Sequence, residues 1–294
     1  MNDKRLNKVT PFDVVNTLIM AIICLLCIYP IWYVIVNSLN DANDALMGGI
    51  YWWPRKFSLR NYVKVFEDIR VLQAFKITII KTIIGTACNV FFTAMVAYPL
   101  SKSRLVGRKF YMMVGTITMF FSGGLIPAFL LYKNMNLINN FWVYIFPAAF
   151  NFFNLIIFCN FFNEIPNALE ESAKIDGATD WTIFIRIILP LSKPVLATIA
   201  LFAGVGQWND YFSGLMYMTN RTDLEPIQTY LYRLVAQVQS NQMAMTASNI
   251  SASDTTSTSI KLAAMVITTL PICCVYPFLQ KYFVSGMMIG AVKE

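Results

Sequence analysis

Histidine is missing from this sequence of 294 residues, and charged residues make up only 13% of it. Without imidazole side chains, histidine-based acid–base catalysis and histidine metal sites are excluded. With 57% apolar residues, the chain has too few polar side chains to cover a water-soluble globule. The composition therefore indicates a membrane protein.

The chain also lacks the GxxxxGK[ST] phosphate-binding loop, so any ATP that drives it must be hydrolysed by another polypeptide. All six cysteines fall in apolar runs, where cysteine behaves as a small hydrophobe. Cys24 and Cys27 have CxxC spacing, but their apolar neighbours argue against a redox or zinc role. The net charge of +7 is spread over many loops, so nucleic-acid binding is not expected. We expect no cofactor and no metal in this chain.

Six apolar runs are long enough, at about 20 residues each, to cross a bilayer as helices. The first run exceeds the apolar core of a secretory signal, so we expect a retained span. The sequence thus predicts an all-α polytopic membrane protein with a single transmembrane domain. Its spans are predicted at residues 14–36, 75–100, 110–132, 141–161, 194–216 and 260–283.

The turn 101–109 carries four basic residues and no acidic residue, which places it in the cytoplasm by the positive-inside rule. Both termini and the loop 163–193 are then cytoplasmic, and residues 37–74 and 219–259 form outer loops. Within the first outer loop, the pattern predicts either an amphipathic surface helix or a solvated connector. The second outer loop, residues 219–259, is either a passive linker or a contact for a partner. Lys81 is expected to extend towards the outer interface.

Asp210 is the only carboxylate well inside a predicted span, and an ionisable group at such depth normally faces protein or water. The alternative is that the fifth span ends early and leaves Asp210 at the outer interface. In the fourth span, Asn151 and Asn154 are three residues apart and are predicted to share a helix face. Such amides either bond to a neighbouring helix or line a polar path.

Amides and aromatic rings surround the Asp210 position in the fifth span. This mixture suits a sugar, because rings stack on its C–H faces and amides both donate to and accept from its hydroxyls. We therefore predict a substrate path from this region together with Asn151 and Asn154. Its fifth-span members are Gln207, Trp208, Asn209, Asp210 and Tyr211.

The loop 163–193 concentrates polar residues in an otherwise apolar chain. Residues 167–175 are predicted to form a short helix that Gly177 ends in a left-handed conformation. Asp180 is expected to cap a second helix over residues 181–189. By physical reasoning alone, this helix–turn–helix is either a capped hairpin that joins two spans or a docking surface.

The run 171–178, ESAKIDGA, followed by Phe184, Leu189-Pro190 and Pro194, resembles the EAA loop of ABC-importer permeases. Ser172 stands where the family pattern has its middle alanine. The stretches NYVKVF (61–66), WNDYF (208–212) and QKYFVSGMMIGAVKE (280–294) are similar to the carbohydrate-uptake branch, in particular to the second maltose permease.

This resemblance implies the type I importer fold with a cytoplasmic coupling helix–turn–helix. It implies a transport subunit of the bacterial cell membrane, without enzyme activity, that imports oligosaccharide or polysaccharide fragments. The implied partners are a homologous second permease, an ATPase dimer that uses ATP and Mg²⁺, and an extracellular solute-binding protein. The residues that would couple to the ATPase are Glu171, Ser172, Ala173, Asp176, Gly177 and Ala178.

Three other functions stay open from the residues themselves. One is an ABC permease for a non-sugar solute. Another is a secondary transporter that uses Asp210 as an ion or proton site, although an EAA-like loop has no use without an ATPase. A membrane enzyme is the third, but the sequence offers neither histidine nor paired intramembrane carboxylates for a reaction site.

Overall fold

Helices account for nearly all regular structure in the computed structural model, which describes residues 10–45, 47–248 and 259–275. Two helices are long and apolar enough to cross a membrane, and up to four spans result if each of two bent helix pairs counts as one. The all-α prediction agrees with this architecture, whereas the described residues do not by themselves yield six spans. The described residues divide into two compact units, one formed by residues within 10–68 and 234–268 and the other by residues 69–233 with 269–275.

The first unit begins with helix α1, Pro11–Ser38, which Thr10 caps through its side chain. A short helix, α2 (Ala42–Ala45), and an amphipathic helix, α3 (Arg60–Glu67), follow. Two carbonyls near the end of α1 anchor α3, because Asn61 Nδ2 donates to Ser38 O (2.9 Å) and Asn40 O (2.8 Å). The first outer loop therefore contains the predicted amphipathic helix.

The core of the second unit is formed by α4 (Ile69–Ser101), α7 (Phe152–Glu164) and α11 (Lys193–Asn209). Ala94 and Ala97 on α4 are fully buried, and their small side chains let the helices approach closely. The fully buried side chains that fill the centre are Leu155, Phe158, Phe162, Ile183, Ile188 and Ile199. Helix α4 begins at Ile69, so the first outer loop ends earlier than predicted.

Three of the predicted spans are broken rather than straight. Over residues 110–132 the chain forms α5 (Arg108–Phe120) and α6 (Leu125–Asn134), with axes at 112°. The break lies at the Gly-Gly pair before Pro127, where Gly124 has φ +87°, a conformation that glycine adopts without strain.

Only part of the predicted fourth span is α-helical. Residues Phe141–Tyr144 form a 3₁₀ helix, and α7 starts at Phe152. Asn151, expected inside a helix, is its N-cap and accepts a hydrogen bond from Asn154 N at 3.1 Å. The late start of α7 follows from Pro147, which has no N–H for a helical bond, and from the preference of asparagine for the N-cap.

The fifth predicted span also ends early, because α11 stops at Asn209 and a short helix α12, Phe212–Tyr217, follows. Helix α13, Ile227–Ser248, occupies much of the predicted outer loop 219–259, and the choice between a passive linker and a partner contact stays a prediction. Helix α14, Ser259–Val275, covers the beginning of the sixth predicted span. Residues 276–283 of that span, the tail motif 280–294 and residues 249–258 lie outside the described residues.

Candidate functional site

A cavity of about 520 Å³ lies in the second unit between α4, α11 and the irregular segment before α7. Four aromatic side chains line it: Tyr144, Phe150, Phe153 and Phe202. Its polar lining residues are Asn89, Asn151, Asn154, Gln207, Asp210 and Ser213. Rings for stacking and amides for hydrogen bonding therefore meet around one space.

The break after α11 is held by an ion pair. Lys81 from α4 is fully buried, and its Nζ donates to Asp210 Oδ2 at 3.0 Å and to the main-chain oxygen of Asp210 at 3.1 Å. The same ammonium lies 4.7 Å from the centroid of the Tyr144 ring. The other carboxylate oxygen accepts from Ser213 N at 3.0 Å in α12. Asp210 thus joins α4 to both helices that flank the break.

The expectation that Lys81 extends to the outer interface is wrong. Helix α4 begins at Ile69, about three turns before Lys81, and a carboxylate lies within reach inside the protein. Because Asp210 already has a cationic partner, its charge is compensated within the chain. This geometry disfavours the hypothesis of a secondary transporter that uses Asp210 as an ion or proton site.

The amides of the cavity support irregular backbone. Asn89 Nδ2 donates to Ala148 O at 2.7 Å, and Asn154 Nδ2 donates to Asn89 Oδ1 at 3.1 Å. Gln207 Nε2 donates to Tyr144 O at 3.0 Å. Non-helical backbone at membrane depth needs such partners or a wet cavity. Asn89 was not among the predicted path residues. The feature that could have indicated it is the presence of a polar amide within the apolar second span.

Gln207 packs directly against α4 at Gly85. A Cβ at position 85 would lie 2.6 Å from Gln207 Nε2, so glycine leaves the room that this amide needs. The second polar atom of the amide, Oε1, is buried without a hydrogen-bond partner among the described residues. The wall of the cavity therefore contains a buried amide acceptor whose hydrogen-bonding capacity is unused among the described residues.

The structure separates the predicted path residues into two groups. Gln207, Asp210, Asn151 and Asn154 line the cavity, whereas the remaining three point elsewhere. Each of these three residues contacts a side chain outside the cavity. The Trp208 ring lies 6.4 Å from the Phe75 ring, and Asn209 accepts a hydrogen bond from Gln228. The Tyr211 ring stacks on the Tyr232 ring, with 5.0 Å between the ring centroids. Successive helical residues diverge by about 100°, so neighbours in sequence do not share one wall.

A second surface is formed by helix α8, Asn167–Ile175, and the turn after it. Gly177 has φ +80°, which agrees with the predicted left-handed stop. Among the predicted coupling residues, four are exposed: Glu171, Ser172, Asp176 and Gly177. Ala173 and Ala178 are half-buried and pack against the apolar core of the unit. Their small size serves contact with the protein's own core.

The second helix of this loop begins differently from the prediction. Thr179, not Asp180, is the N-cap and accepts from Thr182 N at 3.3 Å. Asp180 instead binds Lys174 and Arg104, each at 3.1 Å. The hydrogen bond from Lys174, with the positive charges of both partners, lowers the pKa of Asp180. The helix, Asp180–Ile183, continues through a π turn, Phe184–Ile188, and past Pro190 to Leu191.

The part of the chain that the structure describes contains no cluster of His, Cys, Asp and Glu side chains that could hold a metal ion. What remains is an aromatic and amide-lined cavity on one hand and an exposed helix–turn surface on the other. Both belong to the second unit.

Comparison with known proteins identifies the family of a chain that has both this cavity and this exposed surface. Residues 89–289, more than half of the chain, match the family described as binding-protein-dependent transport system inner membrane component. The chain belongs to this family. This match confirms the resemblance seen in the sequence. The protein is a transport subunit and is located in a membrane.

Relatives of this permease match it over nearly its whole length. Protein LplC of Bacillus subtilis is 42% identical over 96% of this chain and 95% of its own. The polygalacturonan/rhamnogalacturonan transport system permease protein YtcP of the same organism is 39% identical over 96% of this chain and 98% of its own.

A solved structure has the same fold as the permease. It is a bacterial ABC transporter involved in the import of the acidic polysaccharide alginate, with a TM-score of 0.82 and 30% identity. The match covers 92% of this chain and 96% of that chain. The broken helices described above therefore belong to the type I importer fold.

Proposed function

We propose that this protein is the membrane-spanning permease subunit of an ATP-driven, binding-protein-dependent importer of oligosaccharide or polysaccharide fragments. The observation that carries the proposal is the match over 92% of the chain to a polysaccharide importer. Relatives named for polygalacturonan and for arabinooligosaccharides point to the same class of solute. The cavity supports it independently, because aromatic rings and amides together suit a sugar.

The proposed topology has six spans with both termini in the cytoplasm. Helices α1, α4 and α11 and the bent pair α5–α6 supply four of them, α7 with the segment before it a fifth, and α14 the described part of the sixth. The basic turn 101–109 supports this orientation. The surface of α8 then faces the cytoplasm, where an ATPase would meet it.

The proposed coupling surface consists of the exposed residues Glu171, Ser172, Asp176 and Gly177, with Ala173 and Ala178 behind them. The partner chains would be a homologous second permease, an ATPase dimer that binds ATP and Mg²⁺, and an extracellular solute-binding protein. Charged side chains orient a docking partner, and small residues permit close approach.

For the substrate path we propose the cavity residues Gln207, Asp210, Asn151 and Asn154. Trp208, Asn209 and Tyr211 are not part of the cavity lining and would act on the path through the shape of α11 and α12. Asp210 would serve the path as a fixed, charge-compensated corner rather than as a free carboxylate.

Uptake by the whole complex in proteoliposomes tests the transport function. Oligogalacturonides, arabinooligosaccharides and galactooligosaccharides would be offered as solutes, with the binding protein outside and ATP inside. We expect accumulation of at least one class that depends on ATP and on the binding protein. Uptake driven by an ion gradient without ATP would refute the proposal.

A pair of substitutions at Gly177 tests the coupling surface. A Cβ there would meet no atom within 4 Å, so any penalty within the permease comes from φ +80°. Asparagine tolerates that conformation better than alanine does. If Gly177 serves only the turn, Gly177→Ala disturbs transport more than Gly177→Asn.

If Gly177 instead gives space to an ATPase, the larger asparagine disturbs transport more. We expect this second order, with both variants still inserted in the membrane. The measurement is ATP-dependent uptake normalised to the amount of assembled complex. The opposite order would remove Gly177 from the docking surface.

A further inference from the structure

Two adjacent glutamates of α8 face opposite ways. Glu171 is exposed, whereas Glu170 is only 6% exposed. Burial of a carboxylate is unfavourable unless a cation or several donors compensate its charge. The burial of Glu170 therefore means that the partner of its carboxylate lies within this protein.

That partner is Lys102. Its Nζ forms an ion pair with Glu170 Oε1, and the side chain of the lysine is only 12% exposed. The ammonium also lies 5.2 Å from the centroid of the Tyr98 ring, in the last turn of α4. Lys102 directly follows the end of α4 at Ser101. Two largely desolvated charges therefore join α8 to the end of α4.

The other polar links of this loop are exposed. Asp180 pairs with Arg104 and Lys174, but the side chains of Arg104 and Asp180 are 57% and 63% exposed. Solvent-exposed ion pairs contribute little, whereas a buried pair fixes the two groups in one geometry. Among these links, the Lys102–Glu170 pair is the one that can hold α8 and α4 together as they move.

Helix α4 continues from this pair to the cavity. Asn89 and Gly85, which border the cavity, lie 13 and 17 residues before Lys102 in sequence, or roughly 20 to 25 Å along a helix. Lys81, which holds Asp210, lies one further turn away. One continuous helix therefore connects the buried pair at α8 with the wall of the cavity and the break in the fifth span.

We propose that the Lys102–Glu170 pair is the internal link through which a displacement of α8 reaches α4, and thereby the cavity. Both residues are positioning residues that contact neither ATPase nor solute. The inference rests on the proposed role of α8 as the coupling surface. It assigns adjacent glutamates two different tasks, with Glu171 facing the partner and Glu170 transmitting the motion inward.

The test uses the whole complex in proteoliposomes, with the three oligosaccharide classes named above as solutes. Glu170→Gln keeps the size of the side chain and removes its charge. Glu164→Gln is the matched control, because Glu164 is an exposed glutamate at the end of α7. ATP hydrolysis and uptake are measured on the same vesicles.

For Glu170→Gln we expect continued ATP hydrolysis but a fall, on the order of tenfold, in solute transported per ATP. Glu164→Gln should keep the wild-type ratio. Exchange of the charges in Lys102→Glu with Glu170→Lys should recover part of the loss, since the two opposite charges are again in contact. Glu170→Asp keeps the charge on a shorter side chain and should give an intermediate ratio of solute transported per ATP. This variant replaces Glu170→Gln in the test if the glutamine variant fails to assemble.

A wild-type ratio in the assembled Glu170→Gln or Glu170→Asp complex would overturn the inference, even if the complex were less thermostable, because that result means a structural role only. Equal loss of uptake and hydrolysis would also overturn it, since the pair would then act on ATPase docking. Failure of the wild-type complex to use ATP for uptake is a separate result that refutes the proposed function.

Discussion

Removing either charge of the Lys81–Asp210 pair should destabilise the protein, but by different amounts. Lys81 is fully buried, whereas the Asp210 side chain is 25% exposed. Asp210→Asn leaves a buried ammonium without a counter-charge, and its remaining neighbours are a main-chain oxygen and the Tyr144 ring. Lys81→Met leaves a partly exposed carboxylate that still accepts from Ser213 N.

The magnitudes follow from this asymmetry. An uncompensated buried charge costs about 3–5 kcal/mol, so we expect a loss in that range for Asp210→Asn. For Lys81→Met the loss should be about 1–3 kcal/mol, the value of a hydrogen bond to a charged group. Replacement of both residues of a buried pair is often nearly neutral. The double variant should therefore be more stable than Asp210→Asn alone.

Thermal unfolding of the purified complex in detergent measures this order. Asp223→Asn provides a control, because Asp223 pairs with Arg221 at the surface with side chains 55% and 51% exposed, and such pairs contribute only about 0–1 kcal/mol. The expected order of midpoints has wild type and the control highest, then the double variant, then Lys81→Met and last Asp210→Asn. An additive double variant, or Asp210→Asn as stable as wild type, would refute the reasoning.

Three other substitutions test the packing and hydrogen bonding of the second unit. Gly214→Ala should destabilise by about 1–3 kcal/mol, since its Cβ would lie 2.2 Å from Thr229 Oγ1. Gly206→Ala, which meets no atom within 4 Å, should be neutral or slightly stabilising; equal midpoints for the two variants would contradict the packing argument. Asn89→Leu should cost about 1–3 kcal/mol, because Ala148 O loses its donor; an unchanged unfolding midpoint would show that this amide is dispensable.

Features that depend on near neighbours could be predicted from the sequence. Helix α8 and its left-handed end at Gly177 follow from local preferences for a helix start and for glycine after a helix. The kink at Gly124 and the amphipathic helix α3 have similarly local causes. The EAA-like run added the family, because its residues match a pattern at fixed spacing, and the family comparison confirms that match.

Even local preferences were ambiguous where two candidate residues compete. Thr179 and Asp180 are both good N-cap residues, and the choice of Thr179 leaves the Asp180 carboxylate for Lys174 and Arg104. One of these partners, Arg104, lies 76 positions from Asp180 in sequence, so a single local window could not weigh its contribution.

Amino-acid order alone was enough for the membrane class, the helical content and the exposed helix–turn surface, since each reflects composition or the preference of a few consecutive residues. Tertiary packing decided the rest. Lys81 meets Asp210 across 129 positions, and Glu170 meets Lys102 across 68. Ala173 packs against the apolar core of its own unit. Whether a polar residue in an apolar chain binds a solute, compensates a charge or caps a helix depends on what the fold brings within about 3 Å of it, and that distance is not a property of any local stretch.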